Sequence, residues 1–299
     1  MAIRDEPSVG GRRDLAFARP CFCGPSPPRP PDGPGRGHAD FGRTWGLGNG
    51  APAVVALGCI FLTAFVLWEA RAPHPMVPLS LFRDQTFAAA NLATFLIYTA
   101  LSTVLFFLPM TLIAGWAVPE IMASLAFAPL SVFIGGLSAR VGVLSDRYGP
   151  GRMIGMGGAV VSLAFIWLAS LAPIQSFWVS VVPGTTLLGL GMALVVSPLS
   201  TAIMAAVPPD RSGTASGLNN AISRVAGLMA VAVMGGLAAS EYAQSGGTAS
   251  FGAFSDAPGH ADAMTAAFRQ LCWIAAALTA FGAACAYALM SGPDTVAKR

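Results

Sequence analysis

FAAANLATFLIYTALSTVLFFLPMTLI, residues 87–113, holds no Asp, Glu, Lys or Arg. A helix rises about 1.5 Å per residue, so this stretch is long enough to cross the ~30 Å of hydrocarbon in a bilayer. Comparable runs occupy 51–68, 121–140, 153–171, 177–206, 216–239 and 267–290, which makes seven candidate spans. The whole chain agrees: 55% of its 299 residues are apolar, 10% are charged, and the mean hydropathy is +0.65. Soluble domains carry roughly 25% charged residues. The expected fold class is therefore an all-α polytopic membrane protein. A net charge of +3 and five cysteines argue against a nucleic-acid binder, a disordered chain and a disulfide-built secreted scaffold.

Pro109, Pro129, Pro183 and Pro198 fall inside these runs. Proline ends helices in water, but in a bilayer neighbouring helices re-satisfy the freed backbone groups, so the prolines do not count against spanning. Residues 1–50 differ in kind. Arg4, Arg12, Arg13, Arg19, Arg29, Arg36 and Arg43 stand there among dense proline and glycine, without the apolar stretch of a secretory signal. They read as a disordered or artefactual tail. Cys21 and Cys23, with only His38 nearby, lack the spacing and the second pair of a zinc site. The organisation is then a tail at 1–50, a linker helix and loop at 51–86, a six-helix bundle at 87–292 and a short tail at 293–299.

The loops set the orientation. Arg71, Arg83, Arg140, Arg147, Arg152, Arg211, Lys298 and Arg299 flank the spans on one side. Glu120, Glu241, Asp256 and Asp262, with the single cation Arg269, lie on the other. Cytoplasmic loops are the positive ones, so a cell-membrane protein with a cytoplasmic C-terminus is expected, its longest outer loop at 240–264. Trp116, Trp167, Trp178 and Trp273 then belong to the outer interface. Seven spans that begin outside imply a further span upstream.

The most specific local pattern is Gly142-Val-Leu-Ser-Asp146-Arg147-Tyr-Gly149-Pro-Gly151-Arg152, expected to be the loop between the third and fourth spans. Its glycines permit a tight turn. Asp146 can accept N–H bonds from an adjacent helix start, and Arg147 and Arg152 can pair with it or with lipid phosphate. A positive-inside turn is the plainer reading. The pattern G-x-L-x-D-R-x-G nevertheless resembles the cytoplasmic loop signature of the major facilitator superfamily. Three further stretches extend the likeness. Glu69-Ala-Arg71 with the following Pro78-Leu-Ser-Leu-Phe82, Phe106-Phe-Leu-Pro109, and Gly213-Thr-Ala-Ser216-Gly217-Leu-Asn219-Asn220 through Arg224 to Gly227 resemble its fourteen-helix drug:proton antiporter subfamily, in the same order. The likeness covers about residues 50–290, corresponding to the second linker helix and the C-terminal six-helix half. The resemblance implies that Gly142, Asp146, Arg147, Gly149 and Arg152 form a gating motif that locks and releases the two halves of a transporter.

Asn91, Thr94, Tyr98 and Ser102 recur every three or four residues and share one helical face. Polar groups at membrane depth face the bundle interior or a watery cavity, so the stripe is either a helix–helix seam or a substrate-lining face. Thr185, Thr186, Gly189 and Gly191 are small enough for close helix packing. Arg224 lies inside the sixth span, beside Asn219 and Asn220. It either snorkels to the headgroups or meets an interior anion or a substrate. No acid occupies the middle of any span, so a proton-loading carboxylate would have to come from the half that the likeness leaves out.

No catalytic constellation is present. Ser216 lacks a serine-protease context, His74 and His260 are placed in loops, and no span offers a lysine for a Schiff base. No cofactor, metal or nucleic acid is implied. The resemblance implies a transporter, not an enzyme: proton-coupled efflux of amphipathic, cationic or aromatic drugs by a full-length protein of which this chain is a truncated part. Its partners would be membrane lipid, a small amphipathic substrate and, with the other half, protons. The alternative is a non-transporting membrane partner subunit or an inactive remnant.

Overall fold

The computed structural model describes residues 60, 61, 63, 64, 67–69, 71 and 79–290. Six helices are long and apolar enough to cross a membrane: α1 (Gln85–Gly115), α2 (Glu120–Tyr148), α3 (Pro150–Ile174), α4 (Phe177–Ala205), α5 (Pro209–Gln244) and α6 (His260–Met290). Among the described residues there is no strand. The tails at 1–50 and 293–299, and most of the span expected at 51–68, lie outside the described residues.

Local chemistry explains the ends. Asp84 caps α1, its carboxylate accepting the N–H of Phe87 at 3.0 Å. Past Pro109, which lacks a donor, α1 widens into a π-helical turn over Thr111–Gly115. Between α2 and α3 the chain turns on Gly149 alone, at φ +88°, a conformation that favours glycine, and Pro150 opens α3 at its first turn.

Three helices outrun their apolar stretches. The second begins where expected but continues eight residues past Arg140, because nothing breaks it before Gly149. The fifth extends to Gln244 and the sixth starts at His260, seven residues earlier than expected. Trp273 lies thirteen residues into α6, near the middle of the helix. Trp116, Trp167 and Trp178 do gather at one end, where Trp167 Nε1 donates to Val179 O at 3.3 Å.

Packing is layered around α3, α4, α6 and α1, with α2 resting on α4 and α5 on α1. Glycines set the closest crossings. A Cβ on Gly191 of α4 would lie 2.8 Å from Val161 N and 2.9 Å from Gly157 O of α3, and one on Gly158 would meet Ala283 of α6 at 2.5 Å. A Cβ on Gly189 would meet Leu130 Cα of α2 at 2.9 Å. Gly189 and Gly191 therefore serve close packing, as expected. The flanking helices are the open ones: 17% of the most apolar stretch of α2 and 22% of that of α5 is buried, against 44–56% in the other four.

Candidate functional site

The polar stripe of α1 meets α5. Thr94 Oγ1 lies 2.9 Å from Ala90 O and 2.8 Å from the Asn219 side-chain oxygen. A hydroxyl has one proton, so it donates to one of these at a time. Further along, Thr99 Oγ1 lies 3.5 Å from Ala226 O, and Gly227 stands opposite Ser102, whose Oγ would be 3.3 Å from an added Cβ. Residue numbers rise together on both helices, so α1 and α5 run parallel. Asn91 is buried; its amide donates to Phe87 O at 2.8 Å while its Oδ1 has no partner.

The stripe therefore divides. Thr94 and Asn219 bond to each other and Ser102 packs on Gly227. Tyr98 is half-buried, and Asn220 and Arg224 are exposed on the outer side of α5. None of these three has a hydrogen bond or ion pair among the described residues. Arg224 lies farther along its helix than the expected span at 216–239 places it. The α-helical part of α5 begins at Ser212, twelve residues before it, or about 18 Å along the axis.

The motif at 142–152 is a helix corner and not a loop. Gly142, Asp146 and Arg147 belong to the last turns of α2, Gly149 is the corner, and Arg152 lies in the first turn of α3. Gly142 lets α4 approach, since a Cβ there would be 3.1 Å from Ser197 Oγ. Asp146 does not cap α3: that helix has no side-chain cap, because the corner is one residue long and leaves the carboxylate on α2. Among the described residues Asp146 pairs with neither Arg147 nor Arg152; all three are exposed, and the Arg147 guanidinium lies 5.8 Å from the centre of the Tyr148 ring. Ser145 Oγ is buried at the corner without a partner.

The sequence profile described as Major Facilitator Superfamily matches residues 25–231, from within the tail-like segment through most of α5. The chain belongs to the major facilitator superfamily. This facilitator chain is 31% identical, over 71% of its length, to an MFS-type transporter of Mycobacterium tuberculosis. It is 35% identical over 57% of its length to the lincomycin resistance protein of Streptomyces lincolnensis, and 25% identical over 60% to the multidrug export protein EmrB of Escherichia coli. It spans about a third, 35%, of the length of each of these relatives.

The facilitator chain holds a second polar cluster, at the end opposite the corner, that sequence reading missed. His260, placed in a loop from sequence, instead opens α6 and is buried. Its Nδ1 is 2.7 Å from the Tyr242 hydroxyl of α5 and its Nε2 3.1 Å from Ala114 O of α1. A carbonyl only accepts, so Nε2 carries a proton and, in the neutral ring, Nδ1 accepts from Tyr242. Beside it Trp116 Nε1 donates to Thr265 Oγ1 at 2.8 Å, and Gln175 Nε2 donates to Asp262 Oδ1 at 2.9 Å. These bonds tie α1, α3, α5 and α6 together. The available signal was the period of Met264, Ala267, Phe268 and Leu271, which continues back to His260.

Proposed function

We propose that the chain acts as the C-terminal six-helix half of an exporter that moves amphipathic compounds across the cell membrane in exchange for protons. The exposed side of α5, with Tyr98 of α1, lines the substrate route, and the corner at Gly142–Arg152 engages the other half as the route opens and closes. One observation carries the reading: α2 and α5 are the least buried helices, and α5 presents Ser216, Asn220 and Arg224 on its open side. Polar and charged groups at that depth are too costly against lipid tails and call for water, substrate or another helix bundle. The printed names of relatives, resistance and export proteins, support the same reading. Protons need a carboxylate near mid-membrane, and every acid of the six helices sits in a first or last turn. That carboxylate belongs to the other half.

The test is ethidium and lincomycin efflux from cells making this chain fused to the part of the Streptomyces lincolnensis protein that it does not match. Export that Asp146→Asn impairs, with the variant present in the membrane at unchanged level, supports the reading. A fusion that reaches the membrane and exports neither compound rejects it in favour of a non-transporting partner.

A further inference from the structure

Arg224 stands near the middle of the bundle. On one side of it Asn219 bonds Thr94, on the other Ala226 lies at the level of Thr99. Arg224 is therefore level with Ile97 and Tyr98, two or three residues from the midpoint of α1. It is also two or three residues from the midpoint of α5 itself. With ~30 Å of hydrocarbon centred on these midpoints, the boundary on the basic side is about 11 Å along the axis from Arg224, farther than an extended arginine side chain carries its guanidinium. Arg140 and Arg269 lie six residues from the midpoints of α2 and α6 and are shallower.

A guanidinium carries five donors and no acceptor, and at this depth it requires an anion. The described residues supply none. No acid lies in the interior of any of the six helices, and the neighbours on the open side, Ser216, Gly217 and Asn220, are neutral. Arg224 makes the mid-height of this face locally positive. Asn220, one turn below, and Tyr98, on the adjoining helix at the same level, offer further donors with no protein partner among the described residues.

We infer that Arg224 is an anion-recognition point on this face, so that its preferred substrates are amphipaths carrying a carboxylate or a comparable acidic group. The inference rests on the reading of this face as the substrate route. Of the cationic or aromatic amphipaths that the family resemblance implies, it excludes the cationic ones and adds an acid: the guanidinium fork holds the acid, and the ring or alkyl body lies along Val225, Leu228 and Met229, which are exposed on the same helix.

The experiment measures binding of three probes sharing one ring system, 9-anthracenecarboxylate, its methyl ester and 9-anthracenemethylammonium, to the full chain purified in lipid nanodiscs. The carboxylate is expected to bind about ten- to a hundredfold more tightly than the ester, the range of a charge-assisted contact. Arg224→Gln should lower the carboxylate to the ester's affinity and leave the ester unchanged. Arg224→Lys should keep part of the difference, because it retains the charge and loses the fork. Tightest binding by the ammonium probe overturns the inference. So does an equal loss of all three in Arg224→Gln, which would assign the arginine to a bond within the protein. Absence of binding by any probe overturns it as well. The fusion assay judges the route separately: an exporting fusion with ammonium-selective binding refutes the anion site alone, and an inert fusion refutes the route.

Discussion

Gly191→Ala tests how the bundle is held together. The added Cβ would fall 2.6 Å from Val161 Cγ2, 2.8 Å from Val161 N and 2.9 Å from Gly157 O. Carbon atoms rest at about 3.5–4.0 Å, so the shortfall is roughly 0.6–1.4 Å. Two of the three atoms are backbone and cannot rotate aside, which forces α3 and α4 apart at mid-membrane. Overpacking of this kind costs about 1–3 kcal/mol. Against it stands a gain of up to about 1 kcal/mol from replacing glycine within a helix. Gly136→Ala supplies the control: Gly136 is also helical, and nothing lies within 4 Å of its Cβ position. The expected outcome is opposite signs, Gly191→Ala destabilised by about 1–2 kcal/mol, a Tm lower by roughly 2–8 °C, and Gly136→Ala unchanged or slightly raised. Thermal unfolding of the purified chain in nanodiscs, followed by tryptophan fluorescence, measures both. Equal Tm values for Gly191→Ala and Gly136→Ala would refute the claim that backbone approach sets this crossing.

The bond between α1 and α5 should appear in a double-mutant cycle of Thr94→Val and Asn219→Ala as a coupling of about 0.6 kcal/mol, typical of interhelical bonds in membranes. Zero coupling removes the bond from the account. His260→Ala strips two buried contacts and leaves the Tyr242 hydroxyl without its partner, and should cost about 2–3 kcal/mol by the same thermal assay; an unchanged Tm would show that the clamp at that end carries no stability.

Hydropathy reports where hydrocarbon is crossed, and so the middles of the helices were legible while their ends were not. Arg140 reads as the start of a loop, yet α2 carries it on an exposed side and runs on to Tyr148. The stop was written elsewhere, in Gly149-Pro150, a residue suited to positive φ followed by one suited to a helix start. Asp262, Arg269 and Gln270 dilute the apolar signal of α6, although Asp262 bonds Gln175 and Arg269 is exposed. Of the candidate site, the stripe on α1 follows from period alone, but its junction with α5 does not. Thr94 and Asn219 are 125 residues apart, and no local pattern states which helix faces which. The height of Arg224 against α1 depended on the pairing of Thr94 with Asn219 and of Thr99 with Ala226, which sets it level with Ile97 and Tyr98. Tyr242 and His260 were hidden for a related reason: small residues between them read as a long loop, and both side chains are buried by helix extensions at its two edges.

The central claim, that the open side of α5 faces a polar route and not lipid, is tested most directly by spin labels placed one at a time at Gly217, Ala221 and Asn220 of α5 and at Leu163 and Ile166 of α3, in a cysteine-free background of the fusion protein in liposomes. Power-saturation electron paramagnetic resonance compares collisions with a water-soluble nickel chelate and with oxygen. Labels on α5 should collide mainly with the nickel chelate, and those at the exposed Leu163 and Ile166 mainly with oxygen. Oxygen-dominated collisions at all five positions would place α5 against lipid and contradict the account.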